Sequence, residues 1–175
     1  MINKGFQLFL GTVVLLVGVP VFGESEGPSG SIELDKGSVT LVVNEEKERN
    51  EVTVDKSEGC LAKVTVSQNK NQFVAKHDDK PCPNGSHFTV YLNPSETTRL
   101  FLKAGSVKVK GISYLLQKIY RLETSVNAGH ISTSSKEVDV TRTKDFAGAK
   151  GEYKNSKISS GPLLEIQVQA GSIEL

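Results

Sequence analysis

The chain has 175 residues, and its 21 lysines and arginines nearly balance its 20 aspartates and glutamates, so the formal net charge is +1. This balance excludes the strongly basic surface that is typical of nucleic-acid-binding proteins. Aromatic residues make up 6% of the chain, tryptophan is absent, and there are 3 histidines and 2 cysteines. The composition therefore predicts neither a metal cluster nor an aromatic stacking platform, and the length fits one domain.

The N-terminal residues have the pattern of an export signal. Lys4 precedes the apolar run Leu8–Val19, and Val21–Gly23 closes that run with small or modest side chains. A spanning helix needs about 20 apolar residues, so a cleaved signal peptide is favoured over a membrane anchor. We therefore expect a signal peptide over residues 1–23 and an exported mature domain over residues 24–175. This domain has no membrane span and resides in the periplasm, at the cell surface or outside the cell.

Apolar and polar residues alternate through much of the mature chain, as in half-buried strands. Polar clusters rich in glycine, asparagine and lysine separate the alternating segments. The fold class predicted is therefore all-β, with N-terminal strands over about residues 24–99 and repeated strands over about residues 100–175.

Cys60 and Cys82 are the two cysteines of the chain. In an oxidising compartment such a pair favours a structural disulfide, which would stabilise the fold by roughly 3 kcal/mol through loop closure. A redox-active pair usually has C-x-x-C spacing, which is absent here, and two free thiols are the remaining alternative.

One phrase recurs along the chain. Leu100–Val109 reappears as Ile166–Leu175 and, more weakly, as Thr124–Thr133, while Ser29–Leu34 and Gly37–Leu41 carry the second half of the phrase. In each copy the alternation stops at a glycine and restarts in the opposite phase, which predicts that the strand turns a corner there. The predicted corner residues are Gly30, Gly105, Gly129 and Gly171.

The spacing of the copies suggests an architecture. Gly105 and Gly129 are 24 residues apart, and Gly129 and Gly171 are 42 residues apart, close to two steps of about 21. A degenerate copy, Ala147–Gly151, lies near the midpoint. This spacing favours parallel rungs of a β-solenoid-like C-terminal half beside a more sheet-like N-terminal part, with a β-sandwich as the alternative. The sequence does not determine whether the coils of such a solenoid are right-handed or left-handed.

The segment 112–122 has a different period. Apolar residues recur there with the i, i+3, i+4 and i+7 spacing of an amphipathic helix, at Ile112, Leu115, Leu116, Ile119 and Leu122. The segment is short and lacks a strong cap pair, so helix and strand both stay open.

The phrases GSIEL, LKAGSVKVKG, NAGHIST and VQAGSIEL resemble a bacterial family of exported β-strand-repeat proteins named "putative adhesin" and catalogued as a domain of unknown function. The likeness covers roughly residues 29–175, with FTVYLNPSETT as the entry into the repeats. The family's corners often carry Gly-Asp, whereas this chain has Gly-Ser or Gly-His, and the Cys60–Cys82 pair is not part of the pattern. The resemblance implies a non-catalytic protein of the cell envelope or surface.

Three groups of residues could carry chemistry. His77, Asp78 and Asp79 with His87 are possible metal ligands, but they lie in a lysine-rich, proline-rich stretch that favours a solvated loop. The charged side chains of VDVTRTKD (Asp139, Arg142, Lys144 and Asp145) suit the outer face of a strand. His130 replaces a corner serine and is predicted to be a surface residue. We expect no catalytic, metal or cofactor site.

Three functions fit these predictions. The first is an adhesin-type protein that binds a protein or glycan at the surface or envelope through exposed faces of its repeats. The second is an envelope assembly component that joins subunits by strand-edge pairing, with self-association through the C-terminal strand Ile173–Leu175. The third is a carbohydrate-binding or carbohydrate-active protein with a groove.

Overall fold

The computed structural model describes residues 29–56, 59–69, 72–82, 85–142 and 147–175. They form ten strands and one helix. The strands are β1 (Ser29–Val43), β2 (Glu51–Lys56), β3 (Val64–Asn69), β4 (Gln72–His77), β5 (Ser86–Leu92), β6 (Thr97–Lys110), β7 (Arg121–Ser132), β8 (Asp139–Arg142), β9 (Ala149–Lys154) and β10 (Leu163–Glu174), and the helix is α1 (Ile112–Lys118). All ten strands belong to one open mixed sheet, which confirms the predicted all-β class.

Four long strands organise the sheet. β1, β6, β10 and β7 lie side by side in this order, and all are parallel. Each strand has a glycine in its middle, and we call the part before that glycine the first arm and the part after it the second arm. In the first arm the strand order is β3-β4-β1-β6-β10-β7-β9-β8. In the second arm it is β2-β5-β1-β6-β10-β7.

The alternation of the sequence explains which face of the sheet is buried. In β6, Leu100 and Leu102 are buried in the first arm, and Val107 and Val109 are buried in the second, so the phase changes at Gly105. The other long strands change phase at the same level of the sheet. The inner faces of both arms therefore contribute to one apolar core.

α1 covers part of this core. Gly111 precedes the helix in the left-handed conformation (φ 72°), and Ile112, Leu115 and Leu116 are buried. The segment 112–122 is thus helical over its first part, and Leu122 already belongs to β7. The apolar spacing of the helix places Ile112, Leu115 and Leu116 on one face, and this face packs against the apolar core formed by the strands.

The strands do not stack in chain order. β10 lies between β6 and β7, so Gly171 separates Gly105 from Gly129 in space. The expectation of successive rungs at steps of about 21 residues was therefore wrong. The degenerate copy near residue 150 forms β9, which is antiparallel to β7 rather than another parallel strand. Spacing along the chain does not determine which strand is inserted between two others.

The C-terminal strand β10 has a hydrogen-bonded neighbour on each side. Beyond it, the Leu175 N–H donates to Ser132 O at 2.8 Å, and the Ser134 N–H donates to Leu175 O at 2.9 Å. Ile173–Leu175 therefore has no free edge for the strand-edge pairing that the sequence suggested, because the strand is paired on both sides.

The predicted signal peptide, residues 1–23, lies outside the described residues. Within the described ranges, no helix has the length and apolar character needed to cross a membrane.

Candidate functional site: the glycine row and the outer face of the sheet

A row of four glycines crosses the sheet between the two arms. Gly37, Gly105, Gly171 and Gly129 are in register on neighbouring strands. All four have positive φ, between 138° and 145°. A Cβ on Gly105 would lie 1.8 Å from Gly37 O, and one on Gly171 would lie 1.6 Å from Gly105 O. Only glycine therefore fits this row, for both its φ value and its space.

Three of the four predicted corner residues, Gly105, Gly129 and Gly171, lie in this row. Gly30 does not, and its assignment was wrong. It is paired with Thr98 in the first arm and is not among the glycines with positive φ. Gly37 takes the corner position of β1 instead. The sequence signal for a corner at Gly37 was present in Gly37–Leu41, which carries the second half of the repeated phrase.

The disulfide joins Cys60 and Cys82, whose Cα atoms are 4.1 Å apart. The loop that it closes contains both β3 and β4, which form an antiparallel hairpin. Beside the disulfide, the Leu61 N–H donates to Pro81 O at 3.0 Å. The bond thus ties the two ends of this hairpin together.

The outer face of the long strands is polar and carries charges of both signs. Arg99 on β6 pairs with Glu165 on β10 at 3.3 Å, and Arg121 pairs with Glu123 on β7 at 2.6 Å. In the second arm, Lys108 Nζ lies 2.7 Å from Glu174 Oε1. These pairs are largely exposed and add little stability. They leave a polar face with nearly balanced charge.

Phe101 is a large, exposed apolar residue on this face. Its side chain projects outward from β6 between Glu33 on β1 and Gln167 on β10, the residues at the same level on the two neighbouring strands. It is 41% exposed, while its neighbours Leu100 and Leu102 are buried on the opposite face. Arg99 and Lys103 flank it along the strand. The outer face therefore has an apolar centre surrounded by groups that donate and accept hydrogen bonds.

A partly buried hydrogen-bond network lies beside Gly37, and the sequence spacing does not indicate it. His77 Nδ1 is 2.6 Å from Asp35 Oδ1, and His77 Nε2 is 2.8 Å from Ser86 Oγ. The network connects β1, β4 and β5. Burial alone would raise the pKa of Asp35, but hydrogen bonds from the His77 N–H, the His77 ring and the Lys36 N–H outweigh this effect and lower it.

The order Asp35, His77, Ser86 resembles the relay of a serine hydrolase, but its surroundings differ. Ser86 is fully buried. The edge of the Phe88 ring also packs at the His77 ring, with the ring centroids 6.2 Å apart. A nucleophile needs access to its substrate, which the buried Ser86 hydroxyl lacks. These hydrogen bonds are instead suited to joining the three strands β1, β4 and β5.

The histidines and acidic residues that were considered as metal ligands are separated. The His77 side chain is buried in the network just described, rather than in a solvated loop. His87 Nδ1 lies 2.8 Å from Ser38 Oγ, and His87 Nε2 lies 3.3 Å from Thr40 Oγ1. Asp78 Oδ1 accepts from the Lys63 N–H at 3.0 Å. Among the described residues, no three histidine, cysteine or acidic side chains are grouped to hold a metal.

Asp139, Arg142 and His130 are exposed residues of the described part of the sheet. Asp139 and Arg142 are exposed on β8, and Lys144 and Asp145 lie outside the described residues. His130 is exposed, directly after Gly129 in the glycine row. A shallow groove of about 460 Å³ near β8 is lined by Arg121, Glu137, Asp139, Glu152, Tyr153 and Lys154. Burial, and to a lesser extent the nearby Glu137 carboxylate, raises the pKa of Tyr153.

No protein-family model matches the chain. No curated protein matches it in sequence. A solved structure described as a "putative cell adhesion protein" from Clostridium sporogenes resembles it with 10% sequence identity, covering 85% of this chain and 92% of that chain, at a TM-score of 0.36. A similarity at this TM-score carries no argument about the fold or the function.

Proposed function

We propose that the protein is an exported, non-catalytic adhesin-type protein that binds a protein or glycan at the cell surface or envelope through the outer face of its first arm. The observation that carries this proposal is the exposed Phe101 with polar residues around it on the outer face. The disulfide is consistent with an exported protein. The likeness of the repeat phrases to an adhesin family supports the same class.

The chemistry around Phe101 suits a macromolecular contact. Aromatic side chains and arginine are enriched at the centres of protein interfaces, while a polar rim surrounds them. Phe101 supplies the apolar centre, and Arg99, Glu33 and Gln167 supply a polar surround. Because the glycine row and the ladder hydrogen bonds hold the strands rigidly, binding at this face would order few additional groups.

The test compares adhesion of two variants of the purified, non-reduced mature chain, residues 24–175. Beads coated with the chain are applied to an array of extracellular-matrix proteins and cell-surface glycans. Phe101→Ser is expected to lower bead retention at least about tenfold on every surface that binds the unchanged chain, because the apolar centre is lost. Tyr114→Ser is the matched control, since Tyr114 is 44% exposed but lies on α1.

Retention of Phe101→Ser beads equal to that of the unchanged chain would refute binding at this face. Failure of the unchanged chain to bind any surface on the array would refute the adhesin-type function. A loss with Tyr114→Ser alone would move the contact to α1.

A further inference from the structure

β3 forms an outer edge of the first arm. Its six residues, Val64–Asn69, pair with β4, and no other strand pairs with β3 in the described part of the chain. The five side chains after Val64 are exposed, and no described strand lies beyond β3. An outer strand of this kind presents unpaired backbone groups that can accept another strand.

Two other outer strands, β2 and β8, carry the charges that usually protect an edge. β2 contains Glu51 and Asp55, and β8 is only four residues long and contains Asp139 and Arg142. β3 is longer than β8 and has no charged residue and no proline. Protection of sheet edges normally relies on such charges, on proline or on short strands. β3 therefore lacks the devices that its counterparts possess.

Val66 makes this edge apolar on the core side. It lies opposite Ala75 on β4, and Ala75 is 1% exposed. Val66 is thus on the core-facing side of the sheet, yet it is 45% exposed because the sheet stops at β3. One further strand beside β3 would cover it and would extend the core-facing surface.

We propose that β3 pairs with β3 of a second copy of this chain, antiparallel and across a two-fold axis centred on Val66. A two-fold axis perpendicular to the sheet keeps the inner faces of both copies on the same side. Paired residues must therefore point to the same face, which requires that one residue of β3 lies on the axis opposite its own copy. With Val66 at the axis, Val66 packs against Val66 of the second copy. Thr65 lies opposite Ser67, where paired hydroxyl side chains can form hydrogen bonds.

The charges favour a second copy as the occupant. In this register Lys63 lies opposite Asn69, so no like charges meet between the two β3 strands. The equivalent pairing of β2, centred on Thr53, would place Glu51 opposite Asp55, which is unfavourable. The axis also directs the outer faces of both copies to the same side. The dimer would therefore present two Phe101 side chains together, although the pairing itself does not depend on the proposed function.

The test is sedimentation of the non-reduced mature chain from about 1 to about 300 µM, because a single strand pair forms a small and weak interface. The unchanged chain is expected to form dimers as the concentration rises. Val66→Lys and Val66→Glu each place like charges at the axis and should weaken dimerisation at least about tenfold. An equimolar mixture of these two variants should dimerise again, because opposite charges then meet.

Val140→Lys is the matched control, since Val140 is a 36% exposed valine on the edge strand β8. It is expected to dimerise like the unchanged chain. Amide exchange in Val64–Asn69 should also slow with concentration in the unchanged chain, which needs no variant. The proposal is overturned if the unchanged chain stays monomeric, if both Val66 variants dimerise normally, if their mixture does not recover, or if Val140→Lys alone abolishes association.

Discussion

At the scale of single residues, each position in the central row requires glycine because a neighbouring backbone carbonyl oxygen occupies the space of a Cβ atom. Gly105 illustrates this, because the space where a Cβ would project is filled by Gly37 O. Gly111 is different. It has a positive φ of 72°, but no heavy atom lies within 4 Å of the position that its Cβ would take. The two glycines thus separate the cost of an unfavourable φ from the cost of lost space.

Gly105→Ala is expected to lower the free energy of unfolding by at least about 3 kcal/mol, because the methyl group would force two strands apart. Gly111→Ala should cost only about 1 kcal/mol, which is the cost of the left-handed conformation alone. Urea denaturation followed by far-UV circular dichroism measures both values. Equal losses in the two variants would show that the close packing of the glycine row contributes nothing.

At the scale of elements, α1 depends on groups that come from far along the chain. Asn155 Nδ2 donates to Leu116 O at 3.1 Å and to Ile119 O at 3.4 Å. The Tyr153 hydroxyl donates to Leu116 O at 3.0 Å. These bonds satisfy carbonyls at the C-terminal end of the helix, which have no partner within it. A seven-residue helix is too short to be stable alone, so its attachment to the sheet maintains it.

Asn155→Ala should therefore reduce the free energy of unfolding by about 1–3 kcal/mol, because the buried carbonyl of Ile119 loses its side-chain donor. Tyr153→Phe should cost less than about 1 kcal/mol, since Leu116 O still accepts from Asn155. Thermal denaturation of the two variants and the unchanged chain measures both losses in the free energy of unfolding. A larger effect from Tyr153→Phe would mean that burial of the tyrosine ring, rather than carbonyl capping, holds the helix.

At the scale of the whole molecule, the two arms share their four central strands. Leu34 lies in the first arm of β1 and Leu41 in the second, and both are almost completely buried in the same core. Strand continuity through the glycine row means that separating one arm would disrupt the backbone of the other. The arms should therefore unfold as one cooperative unit.

Leu34→Ala and Leu41→Ala are each expected to cost about 2–5 kcal/mol and to shift one common unfolding transition. Urea denaturation, followed by far-UV circular dichroism and by tyrosine fluorescence, checks whether the two probes remain coincident. Two resolved transitions in either variant would show that the arms unfold separately.

Local patterns predicted much of the fold but not its spatial order. Alternation identified strands such as β5 and β6, because their side chains face water and core in turn. The disulfide was predictable because the chain has two cysteines and an N-terminal pattern that predicts export. The Asp35–His77–Ser86 network was not predictable, because its residues meet only when β1, β4 and β5 become neighbours. The groups around Phe101 were equally hidden, since Glu33 and Gln167 belong to strands distant in sequence.

The amino-acid sequence by itself determined the β class, the cysteine pair and the glycines at which three long strands change phase. These features depend on residues close along the chain or on chemistry intrinsic to a residue type. Only the tertiary structure decided that β10 lies between β6 and β7, that Gly37 completes the row, and that β3 is an outer strand of the described sheet. Such choices depend on how whole strands compete to bury their apolar faces, and no local pattern encodes the outcome.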